Sequence, residues 1–319
     1  IDPIEREVTL STGRSLRFGS LVLATGGVAR ALAIPGRDLC INLRTLDDGC
    51  RLRDALEGAV SVAIVGAGVI GLEVASTAVA LGKSVTVFEG GSRAMARLLP
   101  PAISDWLEGM HRAVGVDLRF DVQVDRVRRA PGGLVVEGPG WSVAADVVVS
   151  AVGMRPNAGL VPEAAKGPGG GILTDGFGRV PGMSGVYACG DVAESWNPIY
   201  GRPVRLETWR NADKQARAIA QTIAGRETST AETPWMWTDQ CGRNIQVVGL
   251  WREGATVVAR GEVGAPGSSL YFLAEGVVAG GVLIDNGRDR RFLEMMVETG
   301  ATPALGALAD PLVPLKSLA

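Results

Sequence analysis

The run Val62-Ala63-Ile64-Val65-Gly66-Ala67-Gly68-Val69-Ile70-Gly71 leaves the chain few ways to fold. An apolar strand enters a Gly-x-Gly-x-x-Gly turn, an alanine-rich helical run follows from Leu72 to Leu81, and Gly82-Lys83 turns into Ser84-Val85-Thr86-Val87-Phe88-Glu89. This is the βαβ order and length of a dinucleotide site. Gly66 is expected to make the tight turn, Gly68 to let backbone N–H groups reach a pyrophosphate, and Gly71 to let helix and strand pack closely. Val69 and Ile70 then open the helix, whose N-terminus offers its positive end to the phosphates. Glu89, at the end of the next strand, can accept both hydroxyls of a ribose and would repel a 2′-phosphate, so NADH is expected over NADPH. Arg93 and Arg97 follow closely; they either soften that repulsion or form a solvated helix face.

Other chemistries are thinly supplied. Cys40, Cys50, Cys189 and Cys241 form no Cys-x-x-Cys pair, which writes neither a redox dithiol nor a zinc knuckle, and they read as buried structural thiols. His111, the single histidine, reads as a surface helix residue, so no metal is expected and the chemistry must come from a cofactor. A net charge of -2 gives no reason to expect nucleic acid or an anionic membrane as partner. No apolar run reaches the ~18 residues of a membrane span. Ile1-Asp2-Pro3-Ile4-Glu5-Arg6 lacks the form of a signal peptide, and the chain reads as cytoplasmic and as starting in mid-protein.

Ahead of the dinucleotide unit, Glu7–Leu10 and Ser15–Phe18 read as a hairpin, and Leu21-Val22-Leu23-Ala24 as a fully buried parallel strand. A helix is expected near Leu43–Leu56. After Glu89 the pattern gives a helix over about Ala102–Val114, a strand Val116–Phe120, a short meander (Val122–Arg129, Leu134–Glu137) and the apolar strand Val147–Val152. Arg155-Pro156-Asn157 should not continue a strand. Beyond the glycine-rich connector Gly167–Gly171 come Ile172–Thr174 and Val186-Tyr187-Ala188-Cys189-Gly190-Asp191. A long helix starts near Trp209 and closes at Gly225. From about Thr233 short strands alternate with turns, and a helix near Arg291–Thr299 follows, the pattern of an α+β tail.

The strand ending in Gly190-Asp191 offers a carboxylate to sugar or ribityl hydroxyls. With the strand end Ala24-Thr25-Gly26 it resembles the second flavin motif of two-dinucleotide flavoproteins. Arg205-Leu206-Glu207-Thr208-Trp209-Arg210-Asn211-Ala212, Trp235-Met236-Trp237-Thr238-Asp239-Gln240, Leu312-Val313-Pro314-Leu315-Lys316, Gly66–Glu73 and Gly153-Met154-Arg155-Pro156-Asn157 extend the likeness. From Glu7 to Leu318 the chain is similar to the FAD-dependent NADH:ferredoxin reductases of bacterial aromatic-ring dioxygenase systems of the biphenyl type, and to putidaredoxin and rhodocoxin reductases.

The resemblance implies an α/β fold with two Rossmann-like dinucleotide-binding domains, the FAD one incomplete at its N-terminus, plus a C-terminal α+β interface domain. The boundaries it implies are 1–38 with 158–232 for FAD, 39–157 for NAD, and 233–319 for the tail. It implies a flavoprotein that passes hydride from NADH to FAD and then single electrons to a [2Fe–2S] ferredoxin, Rieske-type or similar, in aromatic hydrocarbon catabolism; it specifies no oligomeric state. Glu207 and Trp209 would flank the nicotinamide. Gly66, Gly68, Val69, Ile70, Gly71, Glu89 and Gly153 would bind NAD, with Glu73 either near the nicotinamide or pairing on the helix surface. Thr25, Gly26, Gly190, Asp191 and Trp237 would bind FAD. Arg202, Arg205 and Arg210, or Arg288, Arg290 and Arg291, would steer an acidic ferredoxin. A non-catalytic NAD(H)-binding module, or the same flavin chemistry serving rubredoxin, are the competing readings. The first glycine fingerprint of such reductases and its lysine-bearing loop are missing before Gly66, so this chain on its own is expected to hold FAD weakly or not at all; flavin absorbance after desalting tests that.

Overall fold

The computed structural model describes all 319 residues. Its helices of ten residues or more are α1 (Leu46–Gly58), α2 (Val69–Ala80), α3 (Pro101–Ala113), α4 (Trp209–Ile223) and α5 (Arg290–Thr299). The chain divides into two units, Ile1–Val28 with Met154–Met236, and Ala29–Gly153 with Trp237–Ala319.

The second unit is built on a five-stranded parallel sheet in the order Ile41–Asn42, Val147–Ser150, Ser61–Val65, Ser84–Phe88, Val116–Arg119. Val62–Val65 and Val147–Ser150 are buried throughout, as expected of central parallel strands covered on both faces. From Ser61–Val65 the chain first builds outward through α2 to Ser84–Phe88 and only later returns on the other side as Val147–Ser150. The reversal creates the switch point beside which open α/β sheets bind ligands. α1 is fixed by a complete capping box, Thr45 Oγ1 accepting from Asp48 N and the Asp48 carboxylate accepting from Thr45 N. The meander has three strands, Arg126–Ala130, Gly133–Gly138 and Trp141–Ala145, and its Trp141 stacks on Phe88 at 4.7 Å. The third strand carries too few apolar residues in a row to stand out in the sequence.

The tail in the same unit is a five-stranded sheet in the order Trp235–Gln240, Arg243–Gly249, Val277–Ile284, Ser269–Ala274, Thr256–Arg260. α5 packs on it through Leu293, Met296 and Val297, which recur at three- and four-residue spacing. Arg260 is almost fully buried and donates to four backbone carbonyls of the closing segment, those of Leu308, Asp310, Pro311 and Val313.

In the first unit, Leu21–Leu23 pairs in parallel with Val186–Ala188 in a two-stranded sheet. This corrects the expectation of a fully buried strand. Leu23 is buried against Val186, Ala188 and Ile172, but Val22 is 39% exposed, because only one face of so narrow a sheet is covered. The first hairpin is present, Glu7–Thr9 against Ser15–Arg17. Met154–Pro156 is a strand after all, paired with Gly27–Ala29; proline is tolerated because each strand of a two-stranded sheet is an edge strand. The glycine-rich connector has a local cause. The buried Glu194 carboxylate accepts from Gly169 N and Gly171 N, and a Cβ on Gly167 would lie 2.4 Å from its carboxyl carbon.

His111 is fully buried, contrary to the surface position expected for it. It falls on the inner face of α3 with Ile103 and Leu107, four residues apart each time, and its Nε2 lies 2.9 Å from Gln240 Oε1. Burial pushes the imidazole below its ordinary value of 6.5, partly offset by the bond to Gln240. The folded state thus resists a proton that the unfolded state accepts near pH 6.5. Stability from this site is complete above that pH and is expected to decline as pH falls below it. Melting curves between pH 8 and 5, on the order of the range where histidine titrates, should show this loss, and His111→Gln should flatten it; an unchanged slope in the variant would contradict the assignment.

Candidate dinucleotide site and flavin-facing motif

The three glycines of the turn occupy three different environments. Gly66 has φ +109°, a backbone region that disfavours any side chain, and a Cβ there would meet Ala151 O at 2.5 Å. A Cβ on Gly71 would sit 2.0 Å from Gly66 O, so helix and turn touch backbone to backbone. Around Gly68 no atom lies within 4 Å of the Cβ position. Gly68 is also the N-cap of α2 and no side chain caps that helix, so the amides of its first turn, Val69, Ile70 and Gly71, have no side-chain acceptor. Ile70 is 43% exposed there.

Glu89 is fixed beside this turn. Its Oε2 accepts from Ala67 N and its Oε1 from Gly91 N, both at 2.8 Å. A carboxylate has about four lone-pair sites, so two acceptor positions remain for ligand hydroxyls. Arg93 does not approach it. Its guanidinium is consumed by Leu99 O (2.6 Å), Ser104 Oγ (2.8 Å) and Ala96 O (2.9 Å). The sequence left Arg93 open between softening the carboxylate and facing solvent, and the structure gives it a third, internal use. Arg97 comes within 3.9 Å of the Cβ position of Gly153, which follows the strand Val147–Ser150. The structure therefore gathers Gly66, Gly68, Val69, Ile70, Gly71 and Glu89 around one turn, with Ala151–Gly153 beside it.

Glu73 lies further along α2 and accepts from Thr238 Oγ1 at 2.5 Å, while Ser76 Oγ accepts from Cys241 N at 2.8 Å. Neither contact could be read from the sequence, because its partners lie 165 residues away.

In the first unit the strand end Cys189-Gly190-Asp191 is held from below. Gly190 has φ +74°; its N–H donates to Gln215 Oε1 at 2.8 Å, Gln215 Nε2 donates to Ser195 Oγ, and Thr174 Oγ1 donates to the same hydroxyl at 2.7 Å. All of these side chains are buried. Gln215 is a site-supporting residue that sequence reasoning missed; its polar position on the inner face of an otherwise alanine-rich helix was the available signal. Thr25 and Gly26 are tied to Asn157, through Thr25 Oγ1 to Asn157 O (2.8 Å), Asn157 Nδ2 to Thr25 O (3.0 Å) and Asn157 N to Gly26 O (2.9 Å). Thr208 caps α4 by accepting from Asn211 N. Glu207 is exposed and pairs with Arg205 at 2.6 Å, and Trp209 is 75% exposed. Trp237, on the strand Trp235–Gln240, is 43% exposed.

The basic groups are less available than their sequence suggested. Arg210 pairs with the buried Glu232, which Lys214 also approaches at 3.2 Å, and lies over the Trp235 ring. Arg290 pairs with Glu294 and Arg291 covers Phe292. Arg202 and Arg288 remain exposed. All four cysteines are free thiols; Cys40 and Cys189 are buried, Cys50 and Cys241 partly so, and burial pushes the Cys40 thiol up to about 11.

The model for pyridine nucleotide-disulphide oxidoreductases matches residues 1–216, and that for the reductase C-terminal domain matches residues 235–319. The chain belongs to the pyridine nucleotide-disulphide oxidoreductase family. Within this family it is 35% identical over 324 residues to the anthranilate 1,2-dioxygenase system ferredoxin–NAD(+) reductase component of Burkholderia cepacia, covering 99% of this chain and 80% of that protein. It is 33% identical to the benzene 1,2-dioxygenase system ferredoxin–NAD(+) reductase subunit of Pseudomonas putida, over 97% of this chain and 76% of that one. Among solved structures, the ferredoxin reductase for the CYP199A2 system from Rhodopseudomonas palustris matches with a TM-score of 0.92 at 31% identity, over 100% of this chain and 80% of that one. The putidaredoxin reductase in its covalent complex with putidaredoxin matches at 0.93 and 30%, over 100% and 78%. Parallel Rossmann-like sheet and antiparallel tail are thus the architecture of this oxidoreductase family.

The family implies FAD as well as a nicotinamide. The first unit fits the flavin half: a strand end at Gly190-Asp191, the N-terminus of α4, and a buried Arg205 Nε that bonds no protein group. α4 is the only helix longer than three residues in that unit, and it follows the segment Arg205–Thr208, so these residues supply no strand–turn–helix of the kind that holds a pyrophosphate.

Proposed function

We propose that the chain takes electrons from NADH at the Gly66–Glu89 turn and delivers them one at a time, through FAD, to a [2Fe–2S] ferredoxin serving an oxygenase. The observation that carries the entry step is the open, uncapped start of α2 beside a carboxylate already held by two backbone amides. The relatives named above, reductase components of dioxygenase systems and a reductase joined to its ferredoxin, support the exit step. FAD, when bound, accepts a hydride and releases electrons singly, which neither the protein's free thiols nor its single buried histidine does.

The chain's own residues bind, orient and exclude. The first-turn amides of α2 take the pyrophosphate, and Gly68 keeps a side chain out of the way. Glu89 accepts the adenosine ribose hydroxyls, and Gly153 borders the same dinucleotide. The Gln215–Ser195–Thr174 bonds hold the Gly190-Asp191 strand end in register for the ribityl chain. Thr25, Gly26 and Trp237 complete the flavin contacts we assign. Glu207 and Trp209 are the residues we assign to the nicotinamide, and α4 turns its positive end toward the flavin.

Because the Glu89 carboxylate stands where the ribose is assigned and Arg93 is engaged elsewhere, NADPH should be used at least about tenfold less efficiently than NADH, the scale of one charge-assisted contact turned repulsive. Replacing Glu89 with alanine should shrink that ratio by weakening NADH alone. Steady-state reduction of ferricyanide with each nucleotide, FAD supplied, measures it, and equal use of both by the unaltered protein would refute the assignment. Reduction of a [2Fe–2S] ferredoxin in the same assay tests the exit. If nucleotide binds and ferricyanide is never reduced, the non-catalytic module is the better reading. For docking, Arg202 is the informative charge, since reversing Arg210 would also break its pair with buried Glu232.

A further inference from the structure

The loop that follows the strand Ser84–Phe88 carries a strained residue at its centre. Met95 has φ +48°, a backbone region that only glycine enters without cost, and it is 4% exposed. Both of its flanks are anchored. On one side Ala94 N donates to Glu108 Oε1 at 2.9 Å, and Ser104 Oγ donates to Ala94 O at 2.7 Å, both partners standing on α3. On the other side Ala96 O and Leu99 O accept from the Arg93 guanidinium, while Leu98 N and Leu99 N donate to Met95 O at 2.8 and 3.1 Å. The Met95 side chain is spent on the interior, its Sδ 3.9 Å from Gln240 Nε2. Its backbone N–H is spent on the glycine turn and donates to Ala67 O at 3.0 Å.

Ala67 stands between the first two glycines of that turn and is bound on both of its peptide groups. Its N–H donates to Glu89 Oε2 at 2.8 Å, and its carbonyl accepts from Met95. The loop thus grips the turn at two points, Glu89 and Met95. A trans peptide unit is flat, with its C=O and N–H on opposite sides. Holding Ala67 O from the side of Met95 therefore aims the Gly68 N–H away from the loop. That N–H takes no acceptor from the protein, and no atom lies within 4 Å of the Cβ position of Gly68.

We propose that Met95 is a positioning residue for the pyrophosphate of the dinucleotide. Its left-handed backbone, and not its side chain, fixes the Ala67–Gly68 peptide plane so that the Gly68 N–H meets a phosphate oxygen. This deepens the dinucleotide reading above and rests on it. The strain follows from the task. With both flanks tied down, φ cannot leave the left-handed region without pulling a flank off its anchors or the N–H off Ala67.

Calorimetric titration of the full chain with NAD⁺, beside thermal melts, tests this with two substitutions that separate backbone from side chain. Met95→Gly favours the left-handed backbone and loses the side chain. It is expected to melt lower and to retain NAD⁺ affinity. Met95→Ile keeps an apolar side chain but is branched at Cβ, which resists positive φ. It is expected to bind NAD⁺ about tenfold more weakly, the scale of one lost bond to a charged group, and ADP-ribose, with the same pyrophosphate, should weaken alike. Should either variant fail to fold, Met95→Asn, tolerant of positive φ, and Met95→Val, branched at Cβ, take their places. A packing role alone would rank the pair the other way, since glycine removes more of the buried side chain. Equal losses of affinity in both variants, or none in the branched one, would overturn the proposal. Should the unaltered protein bind neither NAD⁺ nor ADP-ribose, the dinucleotide reading itself falls and takes this one with it, a result separable from the other two.

Discussion

Gly68→Ala is expected to abolish most nucleotide binding while leaving the fold untouched, and Gly71→Ala to damage both. The two glycines are three residues apart in one turn, yet their surroundings are opposite. A methyl group on Gly68 meets nothing within 4 Å and its backbone needs no positive φ, so the protein accommodates it. Whatever that methyl costs is then borne by a ligand that must come close to the amides. Loss of one or two charge-assisted bonds to a pyrophosphate corresponds to about 10- to 100-fold in affinity. At Gly71 the methyl would sit 2.0 Å from Gly66 O and 3.3 Å from Ala151 Cβ. A main-chain oxygen within a buried turn cannot swing aside, so helix and strand must part, at about 3 kcal/mol for overpacking of this kind. Thermal melts with NAD⁺ titrations separate the two: an unchanged midpoint with lost affinity for Gly68→Ala, and a lowered midpoint for Gly71→Ala. A Gly68→Ala protein that binds NAD⁺ normally would mean the pyrophosphate lies elsewhere.

Arg260→Ala should be the most damaging single change in the tail. Its guanidinium gathers the carbonyls of Leu308, Asp310, Pro311 and Val313, between 2.6 and 3.3 Å, and no carboxylate shares the work. Four main-chain acceptors in and just beyond the short helix Leu305–Ala309 would lose their donor together, and none of them belongs to a strand. Bonds to a charged group contribute about 1.5–3 kcal/mol each, but water would rescue part of this loss, so about 3 kcal/mol is expected for the whole. Arg260→Lys should recover little, since an ammonium carries three donors on one atom and cannot span the four carbonyls. Denaturant unfolding followed at a tail tryptophan such as Trp251, which packs edge-on to Phe272, reads the change. Full stability in both variants would contradict the account of the segment.

What the sequence disclosed and what it withheld divide along physical lines. The βαβ unit was legible because every constraint in it is local: a continuous apolar strand, a turn that needs glycine, a helix start. Gly66, Gly68 and Gly71 could be given separate tasks before any coordinates, since each task follows from the backbone alone. The alternation of short strands and turns in the tail was legible for the same reason, although its first strand, Trp235–Gln240, was not read as one. Contacts across long separations left no such trace. The meeting of Glu73 with Thr238, the Arg260 cluster and the Arg210–Glu232 pair all join residues whose spacing carries no pattern. His111 was misplaced although its four-residue spacing from Leu107 and Ile103 marked the inner face of α3; its polarity was weighed above its position. Leu21-Val22-Leu23 shows the opposite error, an apolar run taken as buried where only one face of a two-stranded sheet is covered.

A crystal of the protein grown with NAD⁺ tests the central claim most directly. The account predicts the pyrophosphate within hydrogen-bonding distance of the Val69–Gly71 amides and the adenosine ribose on the free lone pairs of Glu89. Density for the dinucleotide anywhere else on the molecule would contradict it.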